Sequence, residues 1–233
     1  MKIYFILIMI VFSLVNNAAT ASVVMTGTRI IYPSQLREKS VQLRNIGKEP
    51  FVVQIQIDKG NIDEKTDDDF IITPPVFRME PGSGQSIRLM FAGRPLPQDR
   101  ESLFYMNFTQ LPALKGEARD NNQLVLAITN RVKIFYRPQG ISGKQNNIAR
   151  GLSLSLVGKK IRVTNTSGYY AVIRRADLSE QGKMISLADS VMIPPKSSSE
   201  LTPSQPITNL SGMRLKLILV NDYGMDIEAE RML

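Results

Sequence analysis

A chain of 233 residues with 29 Lys and Arg against 21 Asp and Glu carries a formal charge of +8, and it contains no His and no Cys. Those two absences exclude Ser-His-Asp and Cys-His nucleophilic catalysis, thiolate or imidazole zinc and copper sites, and stabilisation by disulfides. The basic excess raises nucleic acid or an acidic surface as a partner, but Lys and Arg are scattered through alternating patterns and no Arg-rich run occurs, which disfavours nucleic acid.

The chain opens MKIYFILIMIVFSLVNNAATA, with Lys2, an unbroken apolar run from Ile3 to Phe12, and small residues ending in Ala19-Thr20-Ala21. That order is a secretory signal peptide over residues 1–21, with the mature chain starting at Ser22. A retained signal anchor is the competing reading, yet the run is shorter than the roughly 20 residues a spanning helix needs. Later apolar runs are short and interrupted by charge, so the mature protein reads as exported, without stable membrane insertion. Lacking cysteines, each domain has to bury an adequate core of its own.

Between turn signals, short alternating or β-branched runs recur: Arg29 to Tyr32, Ser40 to Asn45, Phe51 to Asp58, Phe70 to Thr73, Ser86 to Phe91, Ser102 to Gln110 and Gln123 to Arg137. Their density predicts an antiparallel β-sandwich of immunoglobulin type over residues 22–140. The polar stretch PQGISGKQNN then reads as a linker. Beyond it, Leu152 to Val157 and Lys160 to Asn165 flank Gly158-Lys159 as a hairpin, followed by Ala171 to Leu178, Val191 to Ile193, Arg214 to Asn221 and Met225 to Glu230. A second, smaller sandwich over residues 141–233 is the simplest account. The fold class is all-β, with two immunoglobulin-like β-sandwich domains.

One of these runs is too long for its domain. Leu124, Leu126, Ile128, Val132, Ile134 and Tyr136 share one parity, so in a strand they face one side. A strand from Gln123 to Arg137 spans roughly 50 Å, against a radius of gyration of about 13 Å for a domain of about 115 residues. Part of the row should overhang. For Leu124, Leu126 and Ile128 the residues alone leave two readings open: completion of this domain's own core, or an exposed segment that meets something else. Val125 and Ala127 make that end apolar on both faces, which points to protection by a partner or by self-association of the free protein.

Little else suggests chemistry. DEKTDDD, Asp63 to Asp69, lacks the spacing and the glycine of a calcium loop and reads as a solvated loop. No phosphate-cradling loop follows a strand. The sequons at Asn107, Asn165 and Asn209 read as chance matches. No catalytic residue, metal site or cofactor is assigned, and the chain reads as a non-enzyme.

TRIIYP (Thr28 to Pro33), PQDRESLFYMN (Pro97 to Asn107), NRVKIFYRP (Asn130 to Pro138) and LVNDYG (Leu219 to Gly224), in that order after a signal peptide, resemble the periplasmic chaperones of the chaperone-usher pilus pathway. The resemblance runs over both domains, and it implies that they are set in an L. It further implies partners: pilus subunits, each a sandwich lacking its final strand, and an outer-membrane usher. Family members lend part of the long last strand of the first domain to the subunit, here Leu124, Leu126 and Ile128, which is donor-strand complementation. They hold the subunit's terminal carboxylate with an Arg and a Lys, which fall on Arg29 and Lys133. Glu101, Arg137 and Asp222 match the family's charged set at the domain junction, a structural ion-pair network. Few residues separate Pro112 from Asn122 and Cys is absent, which resembles the short-loop class. Arg131 departs from the pattern by adding a cation beside Lys133. The alternative is a secreted pilus subunit or two-domain adhesin, for which an N-terminal alternating extension and a Cys pair would be expected.

Overall fold

The computed structural model describes residues 22–60, 69–113, 124–180 and 182–233. The expected signal peptide at 1–21, Gln123 and most of the DEKTDDD stretch lie outside the described residues.

The N-terminal unit contains β1 (Val23–Met25), β2 (Arg29–Pro33), β3 (Lys39–Asn45), β4 (Phe51–Asp58), β5 (Phe70–Thr73), β6 (Val76–Met79), β7 (Gly84–Phe91), β8 (Ser102–Pro112) and β9 (Ile128–Arg137). They build two sheets, ordered β1-β3-β7-β5 and β2-β9-β8-β4-β6. A 3-10 helix at Gln145–Gly151 leads into β10 (Leu152–Val157), β11 (Lys160–Asn165), β12 (Ala171–Glu180), β13 (Lys183–Ile193), β14 (Ser197–Leu201), β15 (Arg214–Val220) and β16 (Asp226–Met232). These form sheets ordered β10-β11-β14 and β13-β12-β15-β16. The protein is thus two β-sandwiches in sequence.

Alternation decides what each sandwich buries. Val53, Ile87, Leu89, Met106 and Ile134 have no exposed surface, and each such side chain stabilises the fold by about 1.5–3 kcal/mol. Tyr32 is also inside; its hydroxyl lies 3.1 and 3.2 Å from the Leu36 and Arg37 carbonyls and accepts from the Phe91 amide at 3.1 Å. The N-terminal core ends with Tyr136, and the second begins with Ile141. The expected linker is therefore anchored, because Ile141 plugs the C-terminal core.

Several expectations are corrected. The first sandwich is not wholly antiparallel, because β2 pairs with β9 in parallel. After β1 the chain crosses to the other sheet through Gly27, whose φ of +93° suits a residue without Cβ. Strand β9 begins at Ile128, not Gln123, and Leu124 to Ala127 are in no strand. The neighbouring ladder explains this end point. Ile128 pairs with Gln110 of β8, and the Ala113 amide donates to Pro50 on the far side, so Pro112 is the next residue whose backbone faces β9. Proline has no N–H to give. β13 is far longer than Val191 to Ile193, and β1, β6 and the serine-rich β14 were not expected at all. Asp69 is buried and pairs with Lys59, so the acidic stretch is not solvated at that end.

Candidate functional site

Parity along β9 sorts its side chains. Val132, Ile134 and Tyr136 enter the core, which turns Arg131, Lys133, Phe135 and Arg137 to the outer face. On β2, Ile30 and Tyr32 are inside, so Arg29 shares that outer face. The parallel register makes Arg29 and Lys133 direct partners, one strand spacing of about 4.8 Å apart.

Among the described residues neither cation has an ion pair. The Arg29 Nη1 reaches only the Val220 carbonyl, at 3.4 Å, and its Nε is buried without a hydrogen-bond partner. Burial lowers the Arg29 pKa, opposed by the Asp222 carboxylate, with Arg174 adding to the lowering. Burial also lowers that of Lys133, and the charges of Arg29 and Arg131 add to the effect. Two half-buried cations side by side, with no ion pair among the described residues, are an arrangement that can receive an anion. A guanidinium grips a carboxylate through two parallel N–H donors, and an ammonium adds a compact charge.

Arg131 does not join them. Its guanidinium takes both oxygens of Asp58, at 2.8 and 2.6 Å, donates to Asn107 at 3.2 Å and stacks 4.1 Å over the Tyr105 ring. Arg131 and two backbone and side-chain amide donors, Gly60 and Asn107, hold the Asp58 carboxyl below its usual range against the opposing effect of burial. The Asp58–Asn107 contribution was missed from sequence. Its one signal is an Asn in the middle of the apolar run FYMNF, where a polar residue needs a partner. The same engagement accounts for two sequons, since the Asn107 and Asn165 side chains are both buried and hydrogen-bonded inside the protein.

At the other end of β9 the apolar row is uncovered. Leu124 is 86% exposed, Leu126 62% and Ile128 51%, so they do not complete this domain's core. Among the described residues, no strand pairs with Leu124 or Leu126.

The remaining charged residues meet between the sandwiches. Arg137 donates from Nε to Glu101 at 2.7 Å and from Nη1 and Nη2 to the two oxygens of Asp222, at 2.7 and 2.8 Å. Glu101 also accepts from the Tyr170 amide at 2.8 Å, and its own amide donates to the Gly168 carbonyl at 2.8 Å. Phe135 is covered by Tyr170 of the second sandwich, with ring centres 5.6 Å apart. Burial pushes the Glu101 carboxyl up, opposed by Arg137. The loop after β15 packs Gly224 onto Thr28 so closely that a Cβ has no room.

The family described as "Pili and flagellar-assembly chaperone, PapD N-terminal domain" matches residues 22–142, and "Pili assembly chaperone PapD, C-terminal domain" matches residues 147–231. The chain belongs to this family of pilus-assembly chaperones. It is 38% identical over 192 residues to the chaperone protein FimB/FhaD of Bordetella pertussis, which covers 79% of this chain and 78% of that one. The crystal structure of the YadV chaperone shares its fold with a TM-score of 0.79 at 33% identity, over 91% of this chain and 100% of the other. A chain of the Salmonella enterica SafA pilin complex with the SafB chaperone has a TM-score of 0.73 at 23% identity, over 92% of this chain and 99% of that one, a likeness of fold.

Proposed function

We propose that this chaperone acts in the periplasm, where it caps pilus subunits by donor-strand complementation and passes them to an outer-membrane usher. The observation that carries the reading is one strand with two vacancies. Leu124 and Leu126 just ahead of β9 and Ile128 at its first residue are exposed, and Lys133 sits beside Arg29 farther along, neither with an ion pair among the described residues. From Ile128 to Lys133 is roughly 17 Å along a strand. A subunit whose terminal carboxylate sits on Arg29 and Lys133 would run its last strand along β9 and receive the apolar row into its open groove. A missing strand leaves unpaired backbone groups and an apolar groove, both costly in water. The donated backbone satisfies the first, and the alternate side chains fill the second. Glu101, Arg137 and Asp222 hold the two sandwiches in one relative orientation and keep that approach open.

Co-expression in a periplasm with a pilus subunit that is degraded alone tests this. The subunit is expected to survive and co-elute one-to-one with the protein. A subunit equally unstable with and without it contradicts the reading.

A further inference from the structure

The vacancy of Arg29 needs an explanation, because an acid lies next to it. Asp222 and Arg29 line the same recess of about 460 Å³, together with Ile31 and Tyr223. They also border a second small crevice with Glu101 and Arg137. The Asp222 backbone cannot retreat, since the Asn221 side chain accepts from the Tyr223 and Met225 amides at 2.9 Å each and clamps the loop. A carboxylate pinned beside a guanidinium that lacks a partner at Nε would normally close on it. Here both Asp222 oxygens are already taken by Arg137. The same arrangement recurs around the two cations: Asp58 is taken by Arg131, and Asp226 by Arg174 at 2.6 Å. Among the described residues, Asp58, Glu101, Asp222 and Asp226 are each engaged by an arginine outside the Arg29–Lys133 pair.

We propose that Arg137 is a positioning residue for carboxylate capture: by holding both oxygens of Asp222 it prevents that side chain from neutralising Arg29, and so leaves the Arg29–Lys133 pair open to a carboxylate from another molecule. This goes beyond orientation of the two domains, and it rests on the reading that the pair holds a terminal carboxylate. Losing Arg137 then has two separable effects. One is a looser junction. The other is self-occupation of the anion site by Asp222, which removal of the Asp222 charge would relieve.

The test uses the full chain and an alternating Val/Thr peptide about eight residues long, within the usual length of a strand, made as the free acid and as the C-terminal amide. Binding is measured by calorimetry at low salt, beside thermal melts. The protein is expected to prefer the acid by about tenfold or more. Arg137→Ala should abolish that preference, and Arg137→Ala/Asp222→Asn should restore it although both variants melt lower. Asp222→Asn alone, with Arg137 and Glu101 still paired, should keep or increase the preference, and it decides the matter if Arg137→Ala does not fold. An Arg137→Ala chain that keeps the preference, a double variant without it, or an Asp222→Asn chain that loses it overturns the proposal while leaving carboxylate anchoring intact. An unaltered protein without any preference overturns both.

Discussion

Arg29 and Lys133 stand opposite each other in a parallel ladder, and among the described residues neither makes an ion pair. Like charges in register across two strands destabilise a sheet by a few tenths of a kcal/mol to about 1 kcal/mol. A pairing that costs the free protein stability makes sense as a site completed from outside.

Removing one cation therefore separates folding from binding. Lys133→Ala is expected to leave the melting temperature unchanged or slightly higher, because no ion pair is lost, while subunit recovery from the periplasm collapses. Arg29→Ala should behave alike in recovery. Normal recovery by both variants would sink the anchoring role, and a large drop in melting temperature would return the residues to a structural one.

Arg131, two residues away, should do the reverse. Its Asp58 partner has only 6% of its side chain exposed, against 24% for Arg131. Breaking such a pair costs about 3 kcal/mol, the low end for a buried pair, and several degrees of melting temperature. The folded fraction of Arg131→Ala should capture subunits normally. A variant that melts normally yet fails in capture would show that Arg131 contacts the subunit.

Ile128→Ser addresses the overhang. If Ile128 belonged to the core, the change would cost about 2–4 kcal/mol from lost burial and a buried hydroxyl. At half exposure in the free protein, its melt should hardly move, and the loss should appear as weaker capture and more subunit proteolysis. A large shift in the free protein with unchanged capture would refute donation by this segment.

Alkaline pH offers a further check. Only the ammonium form of Lys133 attracts a carboxylate, and burial with two neighbouring arginines lowers its pKa. Affinity for a carboxylate-terminated peptide should be full near neutrality. It should fall as pH rises through the lowered value, before an ordinary lysine titrates at about 10.4. In Lys133→Arg the fall should vanish. A profile identical in the two proteins would remove Lys133 from the contact.

Much of this architecture is legible from residue order. Alternation at Val132, Ile134 and Tyr136 identifies the inner face of β9, and the same parity places Lys133 outside. The length argument overstates the strand, since β9 begins at Ile128, although Leu124 and Leu126 ahead of it are exposed as an overhanging row would be. What alternation misses is pairing between distant strands. Arg131 and Asp58 are 73 positions apart, and nothing in either local pattern announces the other. The β2–β9 register is equally hidden, although the pairing of Arg29 with Lys133 depends on it. β14, Ser197–Leu201, contains three serines in five residues; its strand conformation comes from pairing with β11, not from propensity. The start of β9 is decided by Pro112 on the adjacent strand, which no reading of the β9 residues themselves would reveal.

Donation of the Leu124–Ile128 segment is tested most directly by amide hydrogen exchange across it, in the free protein and in a purified one-to-one complex with a pilus subunit. In the free protein these amides are expected to exchange rapidly, since Leu124 to Ala127 belong to no strand. In the complex they should slow by at least about a hundredfold, as ladder partners in the subunit's sheet. Unchanged, rapid exchange of this segment in an intact complex would contradict the account.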